Sequence, residues 1–172
     1  LEILSDVSFC RGFDLIHASP VCKKYSAITK TAGTQAGHDD DIEAVRQKLQ
    51  AIGKPYVIEN VPGAPLKNYV ILCGTMFGLG VVRHRLFECN PEICFPPALC
   101  NHHKKVVKHG RPPDRHRNFA AVTGHFSDVA FAQESMGIDW MGQFGLSQAI
   151  PPAYTEWIGR EMLSKFGSIY FK

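Results

Sequence analysis

The sequence predicts an α/β protein with a mainly parallel sheet, and three consecutive stretches carry this prediction. Residues 13–20 contain the apolar pair Leu15-Ile16 and break at a Ser-Pro pair, as a buried strand does where it ends. Residues 39–52 start with an acidic run that suits a helix N-terminus. Their apolar residues recur at helical spacing: Ile42, Val45, Leu49 and Ile52. Residues 56–58 form a second apolar strand, and strand, helix, strand in this order predicts a parallel βαβ unit.

The composition is that of a globular protein with one sizeable core. The chain has 172 residues, of which 45% are hydrophobic and 20% are charged, as in ordinary folded domains. It shows no signal peptide and no apolar run near the ~20 residues that span a bilayer. We therefore expect a cytoplasmic protein without membrane contact, whose six cysteines are mostly reduced.

The rest of the chain predicts two more strands and a closing helix. The strands are expected at 69–73 and 83–88, and the helix is expected to begin near Pro151-Pro152 and to end at Gly167. Regular periodicity is lost between the last strand and this helix. We therefore expect three parts, which are a catalytic α/β core at 1–88, a small irregular lobe at 89–140 and a return to the core at 141–172.

Chemically active residues follow two of the predicted strands. Cys22 comes directly after the first strand, beside Lys23 and Lys24, and nearby cations favour the thiolate form. Glu59 and Asn60 end the second strand. Because working groups gather beyond the carboxyl ends of parallel strands, these residues are expected at one edge of the sheet. Taken alone, the cysteine could simply end a strand, and a Glu-Asn pair is more often a turn.

The charge of the chain is uneven, although the net charge is only +3. Residues 101–118 hold six basic residues and one acidic residue, Asp114. The basic residues are Lys104, Lys105, Lys108, Arg111, Arg115 and Arg117. Such a surplus predicts contact with a polyanion or, equally well, a solvated loop.

The lobe is also rich in metal-ligating residue types. Cys89, Cys94, Cys100 and His102 could bind zinc, but their spacing is irregular for a structural zinc site. We expect no metal here and keep zinc as the weaker alternative.

Four separated segments occur in an order that resembles the cytosine-C5 DNA methyltransferase family, in particular its compact bacterial and phage branch. The segments are Ala18-Ser19-Pro20-Val21-Cys22, Ile58-Glu59-Asn60-Val61-Pro62, Arg83-His84-Arg85 and 148–152. The resemblance covers nearly the whole chain. The family usually has Pro where this chain has Val21, Gln where it has Lys23, and Gln where it has Val81.

The resemblance implies a fold and a reaction. The fold is a partial Rossmann-like sheet of S-adenosylmethionine-dependent methyltransferases, mainly parallel with helices on both faces, and the lobe is the target-recognition region. The reaction transfers a methyl group to C5 of a flipped-out cytosine in double-stranded DNA. Cys22 would add to C6, Glu59 would bind N3 and the exocyclic amine, and Asn60 would fix the turn that aims Glu59. Arg85, with Arg83, would bind the O2 side of the ring.

The cofactor half of the family pattern is incomplete. The resemblance assigns the S-adenosylmethionine contacts to Ser19, Val21, Gln148, Ala149 and Ile150. The family's glycine loop and its acidic ribose contact do not occur in the chain. We therefore expect an N-terminal segment or a second chain to complete the site.

The resemblance also implies partners and a setting. Ser26 and the basic residues of the lobe would contact DNA phosphates and bases. The protein would act in DNA methylation or restriction–modification, in the cytoplasm of a bacterial or phage-infected cell.

Two other functions are open. One is a non-catalytic DNA-binding fragment or subunit of such an enzyme. The other is a thiol hydrolase that pairs Cys22 with His17 or His38, for which the sequence offers no convincing third group.

Overall fold

The structure is a computed structural model that describes residues 3–21, 25, 41–107 and 113–170, and it shows a mixed α/β protein. The helices in these ranges are α1 (Val7–Arg11), α2 (Ile42–Ile52), α3 (Val129–Met136), α4 (Gln143–Gln148) and α5 (Pro152–Tyr170). The strands are β1 (Ile16–Ala18), β2 (Tyr56–Asn60), β3 (Val70–Leu72), β4 (Arg85–Asn90), β5 (Lys105–Val106) and β6 (Asn118–Phe119). Short 3-10 turns lie at Ile3–Ser5 and Gly74–Phe77.

The main sheet has four strands in the order β1-β2-β4-β3. β1 pairs parallel to β2, with Ile16 opposite Tyr56 and α2 between them in sequence, which confirms the predicted βαβ unit. β2 pairs antiparallel to β4, with Glu59 opposite Phe87. The sheet is therefore mixed, because β4 returns in the opposite direction.

The chain divides into two compact units. One contains residues 1–71 and 85–95, and the other contains residues 72–84 and 96–172. The organisation into three parts, at 1–88, 89–140 and 141–172, stays a prediction from the sequence.

In the first unit, α2 packs on one face of the β1-β2-β4 sheet. Its apolar stripe forms a buried cluster with alternate residues of β2, with a residue of β4 and with two residues of the segment after β2: Ile42, Val45, Leu49, Tyr56, Ile58, Ala64, Leu66 and Leu86. Gly53 ends the helix in the left-handed region at φ 73°, a conformation that glycine adopts without strain. Because side chains alternate along a strand, Val57 and Glu59 belong to the opposite face of β2.

The second unit has its own core around α3 and α4. The buried apolar residues are Val81, Ala120, Val122, Phe126, Phe131, Ala132, Met136, Ile138 and Leu146. β5 and β6 pair parallel, and Val81 forms a parallel bridge with Ala120.

The closing helix α5 starts at Pro152, close to the expected position, and buries Tyr154, Ile158 and Met162. It continues through Gly167 to Tyr170, so the expected end at Gly167 is wrong. One glycine costs a helix only about 1 kcal/mol, which flanking helix formers can absorb. Within the described ranges, no helix is both long enough and apolar enough to cross a membrane.

Candidate active site at the ends of β1 and β2

The carboxyl group of Glu59 is the centre of the candidate site. The residue lies near the end of β2 and is only 6% exposed. Its Oε1 lies 3.0 Å from Nε of Arg85, and its Oε2 accepts a hydrogen bond from the hydroxyl of Ser19. Groups from β2, from the start of β4 and from the segment after β1 therefore meet at one carboxyl group.

The strand register explains why Arg85 reaches Glu59. Glu59 is opposite Phe87 in the antiparallel pair, and Arg85 precedes Phe87 by two residues on the same face of β4. Diagonal neighbours of this kind are within reach of a long side chain. The Arg85 side chain is 16% exposed, so the ion pair is largely shielded from solvent.

Asn60 connects the end of β2 to the segment that follows β1. Its Nδ2 donates to the carbonyl of Pro20 at 3.0 Å, and its Oδ1 accepts from the Val61 N–H at 2.9 Å. These two bonds stabilise the turn after Glu59 and fix the backbone two residues before Cys22. Cys22 itself lies outside the described residues, as do Lys23, Lys24, Ser26 and His38.

His17 precedes these groups on β1, opposite Val57. The residue retains accessible surface, yet neighbouring atoms desolvate the imidazole and lower the pKa of His17, while the negative charge of Glu59 opposes this effect. A lowered pKa favours the neutral ring at pH 7.

Arg83 has a different environment from Arg85. It is 4% exposed, and its guanidinium donates to the carbonyls of Val122 at 2.6 Å and Ser147 at 2.8 Å. Its own carbonyl accepts from the hydroxyl of Tyr154 at 2.7 Å. These contacts stabilise the backbone of the second unit, so they indicate a structural arginine. The predicted contact of Arg83 with a cytosine ring gains no support from them.

The residues that the resemblance assigns to the cofactor are divided between the two units. Ser19 donates its hydroxyl to Glu59, and Val21 is 58% exposed. In the other unit, Gln148 donates to the Ser147 hydroxyl at 3.1 Å, and the Ala149 N–H donates to Gly145 at 2.9 Å to end α4. Ile150, the remaining assigned residue, is half-buried. Binding of S-adenosylmethionine stays a prediction.

The basic residues of the lobe are partly neutralised. Arg115 contacts Asp128 at 3.1 Å and Glu134 at 3.4 Å, and its guanidinium lies 5.4 Å from the centre of the Phe131 ring. Arg117 lies 3.6 Å from Asp114. Lys104 is half-buried and Lys105 is exposed on β5, whereas Lys108 and Arg111 lie outside the described residues. Among the described basic residues of the lobe, Arg115 and Arg117 are therefore paired with carboxylates.

Of the four residues in the zinc alternative from the sequence, two lie in a cluster of metal-ligating side chains and two lie elsewhere. Cys89 is buried in β4, where its thiol contacts the carbonyl of Phe87, and Cys94 is exposed. Cys100 and His102 instead come together with two residues that sequence reasoning missed: Cys73, just after β3, and His84, just before β4. A short cysteine spacing would have revealed such a site, but these four residues come from three separate segments.

Comparison of the chain with protein-family models, curated proteins and solved structures finds no match.

Proposed function

We propose that this chain carries the catalytic residues of a DNA cytosine-C5 methyltransferase. The observation that supports the proposal is the convergence of Ser19, Glu59 and Arg85, three residues distant in sequence, beside the segment that leads to Cys22. A carboxyl group and a guanidinium 3.0 Å apart can bind the donor–acceptor edge of one pyrimidine.

The chemistry requires activation of a weakly nucleophilic ring carbon. The Cys22 thiolate adds to C6 of the flipped-out cytosine, so the S–C6 bond forms and the C5=C6 electron pair moves into the ring. Glu59, when protonated, gives its proton to N3, and its other oxygen accepts from the exocyclic amine. The cation of Arg85 stabilises negative charge on O2 and holds the carboxyl group in place. Transfer of the C5 proton to water, return of the N3 proton to Glu59 and departure of the Cys22 thiolate from C6 restore the ring.

The cofactor fits the described residues only in part. S-adenosylmethionine supplies, when bound, an electrophilic methyl group. Val21 offers an exposed apolar side chain for such a ligand, but Ser19 donates its hydroxyl to Glu59. We therefore propose that a further segment or chain contributes to the cofactor site.

A test that needs no cofactor follows from the first step. Reversible addition of Cys22 makes C5 nucleophilic, so water can protonate it. Removal of the original hydrogen and loss of the thiolate then exchange that hydrogen with solvent. We expect the chain to release tritium from C5 of cytosine in a DNA duplex, and we expect Cys22→Ser to abolish the release. The matched control is Cys94→Ser, since Cys94 is an exposed free cysteine outside the candidate site.

The outcomes separate the candidate functions. Exchange that survives Cys22→Ser contradicts the mechanism. DNA binding without exchange by the folded chain contradicts catalysis by this chain and favours the non-catalytic fragment. If exchange occurs, a duplex with 5-fluorocytosine and S-adenosylmethionine should trap Cys22 on C6 after methyl transfer, because C5 then has no proton to lose. Mass spectrometry of the peptide that contains Cys22 would detect the adduct.

A further inference from the structure

Four metal-ligating side chains converge in the second unit, and one of them directly precedes Arg85 in the sequence. They are Cys73, His84, Cys100 and His102, and one ligand atom from each lies within 4.8 Å of all the others. Three of the segments of this unit contribute, because Cys73 follows β3, His84 precedes β4, and the remaining two follow one another closely in the lobe. Such convergence orders parts of the chain that no regular element joins.

The distances between sulfur and nitrogen match those of a shared metal ion. The Sγ of Cys73 lies 3.4 Å from Nε2 of His102, and the Sγ of Cys100 lies 3.4 Å from Nε2 of His84. Zinc in a tetrahedral site binds sulfur at about 2.3 Å and nitrogen at about 2.0–2.1 Å, which places neighbouring sulfur and nitrogen ligands roughly 3.5 Å apart. Two separate thiol–imidazole hydrogen bonds would account for each pair, but not for the approach of both pairs to one point.

The surrounding residues support the ligands. Thr75 Oγ1 donates to the Cys73 sulfur at 3.5 Å and itself accepts from the Asn101 N–H at 3.2 Å. Asn101 lies between Cys100 and His102 in the sequence. These hydrogen bonds therefore connect the segment that contains Cys73 to the segment that contains the two ligands of the lobe. Hydrogen bonds from an outer layer of residues orient the ligands of metal sites in this way. Gly74 allows close packing here, because a Cβ at this position would collide with the carbonyl of Val81.

We propose that Cys73, His84, Cys100 and His102 bind one zinc ion. Two thiolates and two imidazoles in tetrahedral arrangement favour zinc among the common divalent cations. Four protein ligands leave no position for water or substrate, so the ion is structural. It joins the start of the lobe to the segment that leads into β4, and the inference does not depend on the proposed methyltransferase chemistry.

The first test is the metal content of the whole chain, produced without a polyhistidine tag and dialysed after exposure to zinc. Elemental analysis should find close to one zinc per chain. We expect Cys100→Ser and His84→Ala to retain little zinc, and Cys94→Ser to retain the full amount, because Cys94 is an exposed cysteine outside the cluster. Far-ultraviolet circular dichroism shows whether each variant is folded.

The second test uses the unaltered chain and so does not depend on the folding of any variant. Cobalt in place of zinc should give the intense visible absorption of a tetrahedral ion together with thiolate-to-metal charge-transfer bands. X-ray absorption of the zinc form should show two sulfur and two nitrogen ligands. Zinc well below one per chain in the unaltered protein, an octahedral cobalt spectrum, or equal zinc loss in Cys94→Ser and Cys100→Ser would each overturn the proposal.

Discussion

Two arginine–glutamate pairs lie on opposite faces of the main sheet, and they differ in how far their side chains are exposed to solvent. Glu88 of β4 pairs with Arg46 of α2, on the face that the helix covers. Arg85, three residues before Glu88, belongs to the other face and pairs with Glu59. One strand thus presents a charged group to each side of the sheet.

The pair under the helix is saturated with hydrogen bonds. Arg46 is 2% exposed and donates to the two oxygens of Glu88 at 2.7 and 2.8 Å, to the Pro65 carbonyl at 3.0 Å and to Glu43. Glu88 also accepts from the Lys67 N–H at 2.8 Å. The hydrogen bonds and charge of Glu88 raise the pKa of Arg46. Such a network of buried hydrogen bonds stabilises the fold.

The pair on the other face is more open. The Arg85 side chain is 16% exposed, against 2% for Arg46, and it contacts Glu59 through Nε at 3.0 Å. The partner of the remaining Glu59 oxygen is a small hydroxyl group, which a ligand can displace more easily than a guanidinium. The comparison teaches that partners and exposure distinguish a structural ion pair from a candidate site when the residue types are identical.

The largest expected effect on stability is that of Arg46→Ala. The substitution leaves Glu88 as a buried, uncompensated charge, so we expect the free energy of unfolding to fall by about 3–5 kcal/mol. Urea denaturation measures this change. The control is Arg160→Ala, which removes an exposed helical pair with Glu156 and should cost only about 0.3–0.5 kcal/mol. A loss below about 1 kcal/mol for Arg46→Ala would show that the enclosed pair is not structural.

The next prediction separates function from stability with one change on each face. Glu59→Gln removes the proton donor, so we expect C5 hydrogen exchange to slow by about 10²-fold or more, with a smaller fall in the urea midpoint than Glu88→Gln causes, because the Arg85 side chain is more exposed than that of Arg46. Glu88→Gln should lower the urea midpoint strongly, because it leaves Arg46 buried without its counterion. If Glu59→Gln and Glu88→Gln both remain folded and lose exchange activity equally, the proposed difference between the two faces is wrong.

The smallest expected effect concerns a third, more exposed pair, Arg115 with Asp128. The Asp128 side chain caps α3 by accepting from the Phe131 N–H at 2.8 Å, and this bond, together with Arg115, lowers the pKa of Asp128 against the effect of desolvation. Asp128→Ala should cost about 1 kcal/mol of stability, and Asp128→Asn should cost less because an amide oxygen also caps a helix.

The lowered pKa gives the pH dependence its sign. The stabilisation from ionised Asp128 is fully present above the usual aspartate pKa and is lost as the pH falls through the lower pKa of the folded state. Thermal unfolding followed from pH 7 to acid should therefore show a shallower decline in Asp128→Asn. If stability falls equally steeply with pH in both proteins, the contribution of Asp128 comes from its hydrogen bond to the Phe131 N–H and not from its charge.

Local periodicity was sufficient to predict the part of the fold that positions Glu59. The apolar stripe of α2 and the apolar run of β2 follow one another along the chain. The parallel pairing of β2 with β1 therefore followed from sequence order alone. The antiparallel direction of β4 could not be predicted in the same way. It depends on the path of the chain after β3, which no repeat or cap in the sequence specifies.

The sites show the same division. The resemblance assigned Glu59 and Arg85 to one site, and their side chains do lie 3.0 Å apart. It also grouped Arg83 with them, although the guanidinium of Arg83 donates to the backbone carbonyls of Val122 and Ser147. The Cys73 and His84 members of the cluster were missed because long-range folding, rather than a short spacing, brings them to Cys100 and His102.

The hydrogen bond from Tyr154 to the carbonyl of Arg83 makes the last helix important at a distance. Tyr154 is fully buried in α5, and the carbonyl that it contacts belongs to the residue two positions before Arg85. Truncation of the chain before position 154 would therefore remove support from the backbone leading into β4. An insertion within α5 before Tyr154 would displace the same hydroxyl group.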